Sequence, residues 1–233
     1  MVRADLEKLR AFAPFAKLED GAFRALVGGC TQRDFVPREL IIGQQDQSHD
    51  VLFLIAGRAR VNVYSPDGQR VSLREMPAGT MFGELSAIDG QTRSASVEAL
   101  EPCSIAIMPR RLFIKALSDH PEFGLAVMRH VTQLVRRLTD RVFEFSTLVV
   151  RGRVQVELLR MIEDLPRTRG ELILSPAPTH EEIASRVSTH REAVTRELAW
   201  LEAQGVIEKA GRTLKITNLD RLRNLARESF HGD

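Results

Sequence analysis

The sequence predicts an α+β chain: an N-terminal antiparallel β-barrel or jelly roll, a long coiled-coil dimerisation helix, and a C-terminal winged helix-turn-helix. Three observations carry this reading. Apolar residues alternate in short, glycine-punctuated runs over 35–108, repeat at heptad spacing over 128–149, and then fall into two capped helices followed by a small hairpin. A period of two belongs to strands and a 3–4 spacing to helices, so the change of period near Pro109 separates two architectures.

Leu6, Leu9, Phe12, Phe23 and Leu26 mark an N-terminal helical stretch. In the β region Ala59, Val61 and Val63 alternate with Arg58, Arg60 and Asn62, and Val71 with Leu73 answers them. Ser65-Pro66-Asp67-Gly68 joins these runs as a hairpin, because Pro presets φ and Gly accepts φ > 0. Glycines at 43, 57, 68, 79, 83 and 90 give the turn spacing of a barrel or sandwich.

Beyond Pro109 the informative run is Met128, Val131, Val135, Leu138, Val142, Phe145, Val149, spaced 3, 4, 3, 4, 3, 4. An apolar residue at every a and d position predicts a helix paired with its own copy; a core-facing stripe within one chain is the alternative. Gly152 is read as the break after this helix, and 154–165 as a further amphipathic helix ended by Pro166. Arg167 to Pro178 reads as a loop holding a short strand, Glu171 to Leu174. Thr179-His180-Glu181-Glu182 and Thr189-His190-Arg191-Glu192 both fit a capping box, and their close spacing is that of a helix-turn-helix. Strands Val206–Lys209 and Thr213–Thr217 form a wing about Ala210-Gly211-Arg212, and Asn218 or Asp220 caps a last helix with Leu222, Leu225 and Ala226. The expected domains are therefore 1–120 (β-barrel), 121–150 (dimerisation helix) and 151–233 (winged helix-turn-helix).

Composition narrows the function. The 233 residues are 43% hydrophobic and 27% charged, with 33 Lys+Arg against 31 Asp+Glu, which excludes a disordered chain. Residues 1–120 carry 15 basic and 15 acidic side chains and 121–233 carry 18 and 16, so any nucleic-acid contact must be local and C-terminal. Cys30 and Cys103 cannot build a disulfide scaffold or an all-cysteine metal site, which suits a reducing cytoplasm. The apolar run Val51 to Ala56 is too short for a membrane span, and no secretory leader is expected. His49, His120, His130, His180, His190 and His231 lack metal-ligand spacing, and neither a P-loop nor a nucleophile elbow is present, so an enzyme is not expected. His120 and His130 are expected at helix surfaces or in satisfied core positions.

Two constellations could carry chemistry. In the second helix of the helix-turn-helix, Val194, Leu198 and Leu201 share one side, while Arg191, Glu192, Thr195 and Arg196 share the other. Such a face can enter a major groove, Arg reading guanine O6 and N7 and Glu accepting from cytosine N4; an intrahelical Glu192–Arg196 pair is the bland alternative. In the β region Phe82-Gly83-Glu84-Leu85-Ser86 precedes Arg93-Ser94-Ala95. Arg forks onto phosphate oxygens, Ser and backbone N–H groups complete an anion site, and Glu accepts from a sugar hydroxyl. A surface Arg–Glu pair beside a turn fits the same spacing.

In the order Gly83-Glu84-Leu85…Ser86…Arg93-Ser94-Ala95, heptad helix, Arg191-Glu192-x-x-x-Arg196, the chain resembles the CRP/FNR family of bacterial transcription regulators over nearly its whole length. The resemblance implies a cyclic-nucleotide-binding type of barrel, with the effector, cyclic AMP or cyclic GMP, held by Arg93 and Ser94 at its phosphate and by Glu84 at its ribose 2′-hydroxyl. The implied ligand set is Gly83, Glu84, Leu85, Ser86, Arg93, Ser94, Ala95, Leu138 and Thr139, the last two standing where cyclic-AMP-binding members carry an adenine-contacting Thr-Ser pair. Only one hydroxyl remains there, which leaves adenine and guanine both open. The cassette is one residue shorter between Glu84 and Arg93 than in the best-known members, Ser188 stands where the turn often has Gly, and His190 where a Ser usually caps. The cysteine set of the iron–sulfur branch is missing.

The implied DNA-binding set is Thr189, His190, Arg191, Glu192, Thr195 and Arg196, and the dimer seam is Met128, Val131, Val135, Leu138, Val142 and Phe145. The expected partners are a second copy, palindromic double-stranded DNA and RNA polymerase, with the ligand bridging barrel and dimer helix. A regulator with another effector, or none, is the alternative.

Overall fold

The computed structural model describes residues 6–68, 70–163 and 172–230. Contacts divide the chain into two units, Met1–Val135 and Arg136–Asp233. The first opens with a 3₁₀ turn, Leu6–Ala11, and helix α1, Asp20–Gly28. Strands β1 (Thr31–Phe35), β2 (Leu40–Ile42), β3 (Val51–Ala56), β4 (Arg58–Tyr64), β5 (Arg70–Pro77) and β6 (Met81–Phe82) follow. Helix α2 (Glu84–Asp89) comes next, then β7 (Ser96–Ala99), β8 (Cys103–Met108) and α3 (Arg110–Asp119). Helix α4, Pro121–Thr147, contains the boundary between the units.

The strands do not close into a barrel. They form two antiparallel four-stranded sheets, β1-β8-β3-β6 and β2-β7-β4-β5, as in a jelly roll. Consecutive strands β3 and β4 part at Gly57: β3 stays with β8 and β6, while β4 goes to β7 and β5. Strand β3 is apolar at every position because both of its faces are covered. Leu52 and Leu54 join Phe35, Val61, Met76 and Ile105 in one core, while Val51, Phe53 and Ile55 meet Leu9, Phe12, Phe15, Phe113, Phe123 and Val127 in another. Phe53 packs edge-on against Phe12 and Phe15, with centroids at 5.5 and 5.1 Å. Burying each such ring is worth roughly 1.5–3 kcal/mol. Phe123 and Val127 thereby fix the first turns of α4 against this unit.

The Ser65–Gly68 hairpin forms as its residues suggest, with Gly68 N donating to Ser65 O at 2.9 Å. The region 35–108 is not purely β, however: α2 interrupts it. Six residues are too few for a periodic signal, and the glycines that flank α2, Gly83 and Gly90, read in the sequence as strand punctuation.

The second unit holds the end of α4, then α5 (Val150–Glu163), β9 (Leu172–Leu174), α6 (His180–Arg186), α7 (Arg191–Ala203), β10 (Ile207–Ala210), β11 (Thr213–Ile216) and α8 (Leu219–Glu228). Strand β11 lies between β10 and β9, so the wing is a three-stranded sheet. The break after α4 falls at Leu148 and Val149, which leaves Val149 outside α4. Gly152 lies inside α5, where a Cβ would come within 2.6 Å of Ser229 Cβ; it permits a close approach to the end of α8 instead of ending a helix. Pro166 and the interval 167–171, expected to end a helix and form a loop, lie outside the described residues.

Thr179 caps α6 with a full capping box, and Asn218 caps α8 by accepting from Arg221 N. The second capping box does not form. The N-cap of α7 is His190, whose side chain makes no capping bond, and Thr189 N donates instead to Ala184 O at 3.0 Å. Ser188 occupies the left-handed region, φ 49°, where glycine would sit without strain.

Candidate functional site

The predicted ligand residues of the first unit converge on one buried cation. Gly83, at φ 82°, turns the chain from β6 into α2 at a point where a Cβ would meet Arg93 Nη1 at 2.6 Å and Asp50 O at 3.1 Å. Arg93 is 4% exposed. Its Nε donates to Ser48 Oγ (3.0 Å), Nη1 to Gly83 O (2.8 Å) and Ser86 Oγ (2.6 Å), and Nη2 to Asp50 O (2.7 Å). A guanidinium carries five N–H donors, so these four bonds leave one. The Arg93 backbone is stitched as well, its N donating to Asp46 O and its O accepting from Gln45 N. Burial lowers the Arg93 pKa, and the carboxylates of Asp50, Asp46 and Glu84 oppose that shift. Arg93 is thus the strut that holds the cassette together as well as its source of positive charge. Ser94, next in the chain, is exposed.

Glu84, on the first turn of α2, is 2% exposed. Its Oε1 faces His130 Nε2 of α4 at 3.4 Å. His130 is half-buried and faces that carboxylate, although its Nε2 makes no hydrogen bond. Leu85 is exposed, Ala95 is half-buried, and Leu138 and Thr139 are exposed on the part of α4 that belongs to the second unit. The structure accordingly assembles Gly83, Glu84, Ser86 and Arg93. The pairing of His130 with Glu84 is not legible in the sequence, because nothing in the spacing links residue 130 to residue 84. The i+7 and i+3 relation of His130 to Phe123 and Val127 is the one signal that places it on their face of α4.

The heptad residues occupy another face. Met128, Val135 and Val142 are 61%, 57% and 65% exposed. Leu138 is also exposed, and Val131 and Phe145 are half-buried. The seam is not the core-facing stripe of a single chain.

In the second unit Val194, Leu198 and Leu201 are buried under α7, and Arg191, Glu192, Thr195 and Arg196 are exposed on its other side. Thr195 Oγ1 donates to Arg191 O (3.0 Å) and lies 2.7 Å from His180 Nδ1. Burial lowers the His180 pKa, with Lys209 and Arg191 adding to the effect.

Buried polar groups hold this face in place. Glu197, on the inner side of α7, accepts from Gln155 Nε2 (2.7 Å) and pairs with Arg151 Nε (3.0 Å), while Arg151 stacks on Trp200. Glu157 of α5 meets Arg141 (3.2 Å), Arg160 (2.5 Å) and Arg186 (3.3 Å), and Arg160 also reaches Glu144 (2.6 Å). This network ties the end of α4 to α5 and α6.

Among the described residues no helix is long and apolar enough to cross a membrane, and no group of three metal-ligating side chains converges. The model of the cyclic nucleotide-binding domain matches residues 32–120, and that of the Crp-like helix-turn-helix domain matches residues 152–225. The chain is 27% identical over 214 residues (91% of this chain, 96% of the relative) to a CRP-like cAMP-activated global transcriptional regulator of Mycobacterium tuberculosis. It is 30% identical over 195 residues (80% and 90%) to the cAMP-activated global transcriptional regulator CRP of Pasteurella multocida. Among solved structures, the c-di-GMP responsive global regulator CLP of Xanthomonas campestris shares the fold with a TM-score of 0.74 at 21% identity, covering 85% of this chain and 99% of that one.

Proposed function

The chain belongs to the CRP/FNR family of transcription regulators, and from that premise we propose that it is a homodimer whose DNA binding is switched on by a cyclic nucleotide, cyclic AMP or cyclic GMP. It is a DNA-binding regulator with a cyclic nucleotide-binding domain, and not an enzyme. The observation that carries the choice of effector is the buried Arg93, a permanent cation held at the mouth of α2 beside Glu84, with Gly83 making room for it. Arg93 and Ser94 would supply the phosphate contact and Glu84 the ribose contact. The cAMP-activated relatives support cyclic AMP first.

In this reading the exposed seam Met128, Val131, Val135, Leu138, Val142 and Phe145 is covered by a second copy. Two α7 helices would then meet successive major grooves of a palindromic duplex roughly 34 Å apart. Thr189, His190, Arg191, Glu192, Thr195 and Arg196 form the DNA face, Arg191, Glu192 and Arg196 reading bases. RNA polymerase is the further partner, and the cytoplasm is the place of action. A different effector is the second reading, favoured by the loss of one hydroxyl at Leu138. Calorimetric titration with cyclic AMP, cyclic GMP and linear AMP separates the two: saturable binding of a cyclic nucleotide but not of AMP supports the first, and no binding of either cyclic nucleotide refutes it.

A further inference from the structure

We infer that Arg141 is the positioning residue through which the C-terminal part of α4 sets the angle of the helix-turn-helix, and with it the half-site spacing that a dimer accepts. The inference rests on the homodimer reading above and concerns a residue outside both the nucleotide cassette and the DNA face. Arg141 stands on α4 between Leu138 and Val142 of the proposed seam, yet only 15% of its side chain is exposed. Its Nη1 donates to Glu157 of α5 at 3.2 Å, and its Nη2 donates to the backbone oxygen of Arg186. The same guanidinium lies over the ring of Phe145, a seam residue one turn further on, 5.2 Å from its centroid. One side chain thus touches the seam, α5 and the last residue of α6.

Arg186 ends α6, and α7 begins at Arg191. The carbonyls of a helix's last turn lack partners within the helix and carry the negative end of its dipole, so a cation bonded to one of them fixes where that helix ends. The end of α6 in turn places the start of α7. Ser188 turns the chain at φ 49°, and Thr189 N donates back to Ala184 O at 3.0 Å, so little freedom is left between the two helices. Buried Glu157 is also met by Arg160 of α5 at 2.5 Å and by Arg186 at 3.3 Å, which makes it a fixed post rather than a mobile surface partner. Arginine suits this place because its planar fork donates in two directions at once, to a carboxylate and to a carbonyl, where lysine offers a single centre. In a dimer the two α7 helices move with their own copies of α4. Adding one base pair between half-sites shifts them by about 3.4 Å and rotates them by roughly a tenth of a turn, so spacing preference reports the angle that Arg141 holds.

Wild type, Arg141→Met and Arg141→Lys are compared on duplexes with a single half-site and on palindromes whose half-sites are moved apart or together by one and two base pairs. Arg141→Met leaves Arg160 and Arg186 on Glu157, so no buried carboxylate is stranded, and a thermal melt reports the fold. Wild type is expected to prefer one spacing over its neighbours by about 30-fold. Arg141→Met should keep single-half-site affinity within about 2-fold while that preference falls by about 10-fold, the worth of a charge-assisted hydrogen bond. Arg141→Lys, which keeps the charge without the fork, should fall between them. A lower melting temperature with equal losses on every duplex, or an unchanged spacing preference in Arg141→Met, overturns the proposal while leaving the homodimer reading intact. Wild type that binds a palindrome no better than a single half-site refutes that reading, and this inference with it.

Discussion

The two units handle charge in opposite ways. In the first, the charged residues of the candidate site are buried: Arg93 donates to Ser48, Gly83, Ser86 and Asp50, and Glu84 is sealed against His130. In the second, Arg191, Glu192 and Arg196 stand exposed on one side of α7, while a separate set of groups, Glu197 with Gln155 and Arg151, ties the other side of that helix to α5. Where the site is the scaffold, recognition and folding cannot be altered independently. Where the site only rests on the scaffold, they can. A sensor built the first way changes its packing when a ligand engages it, and a reader built the second way can vary its target at little cost to its fold.

The sharpest way to break this comparison is a pair of substitutions. Arg93→Ala removes four hydrogen bonds from a charged, buried donor, and should destabilise the first unit by about 3 kcal/mol as well as abolish nucleotide binding. Arg191→Ala should leave thermal stability within about 0.5 kcal/mol, yet cost about 1–3 kcal/mol in DNA affinity and relax preference at one base pair. Thermal melts and binding to a panel of duplexes read both arms. A stable Arg93→Ala protein would show that the cassette does not depend on its cation. A uniform loss over all duplexes would show that Arg191 touches phosphate only.

A smaller effect sharpens the picture of the reader. His180 has its pKa lowered by burial, and by Lys209 and Arg191. The unfolded chain then binds the proton more readily, so this group withdraws stability as pH falls below the ordinary histidine value. A DNA phosphate near the same cations would push the pKa back up, so binding takes up a proton. Affinity should rise roughly 2- to 3-fold as pH falls below the ordinary histidine value, and His180→Asn should flatten that slope. An unchanged slope in the variant would remove His180 from the DNA face.

What could be read from the sequence was local. The Ser65–Gly68 turn, the Thr179 capping box, the apolar side of α7 and the heptad seam each depend on residues within a few positions of one another. What could not be read depends on long-range packing. The unbroken run of β3 did not reveal that a phenylalanine cluster covers its second face. The six residues of α2 were too short to show a period, and Thr189 resembled a cap because the left-handed Ser188 turn was invisible. The pairs Glu84–His130 and His180–Thr195 join residues 46 and 15 positions apart, and the three arginines about Glu157 come from α4, α5 and α6. Motif spacing located the cassette, but only the fold shows that Arg93 is already engaged and that His130 of α4 faces Glu84.

The central claim is that a cyclic nucleotide controls DNA binding, and it is tested most directly by the affinity of the full chain for a palindromic duplex selected from a random pool, measured at one salt concentration with and without saturating cyclic AMP or cyclic GMP. A coupling of roughly 1–3 kcal/mol, which is about 5- to 150-fold tighter binding with one of the two nucleotides, is the predicted result. The same affinity with and without either nucleotide would contradict the account.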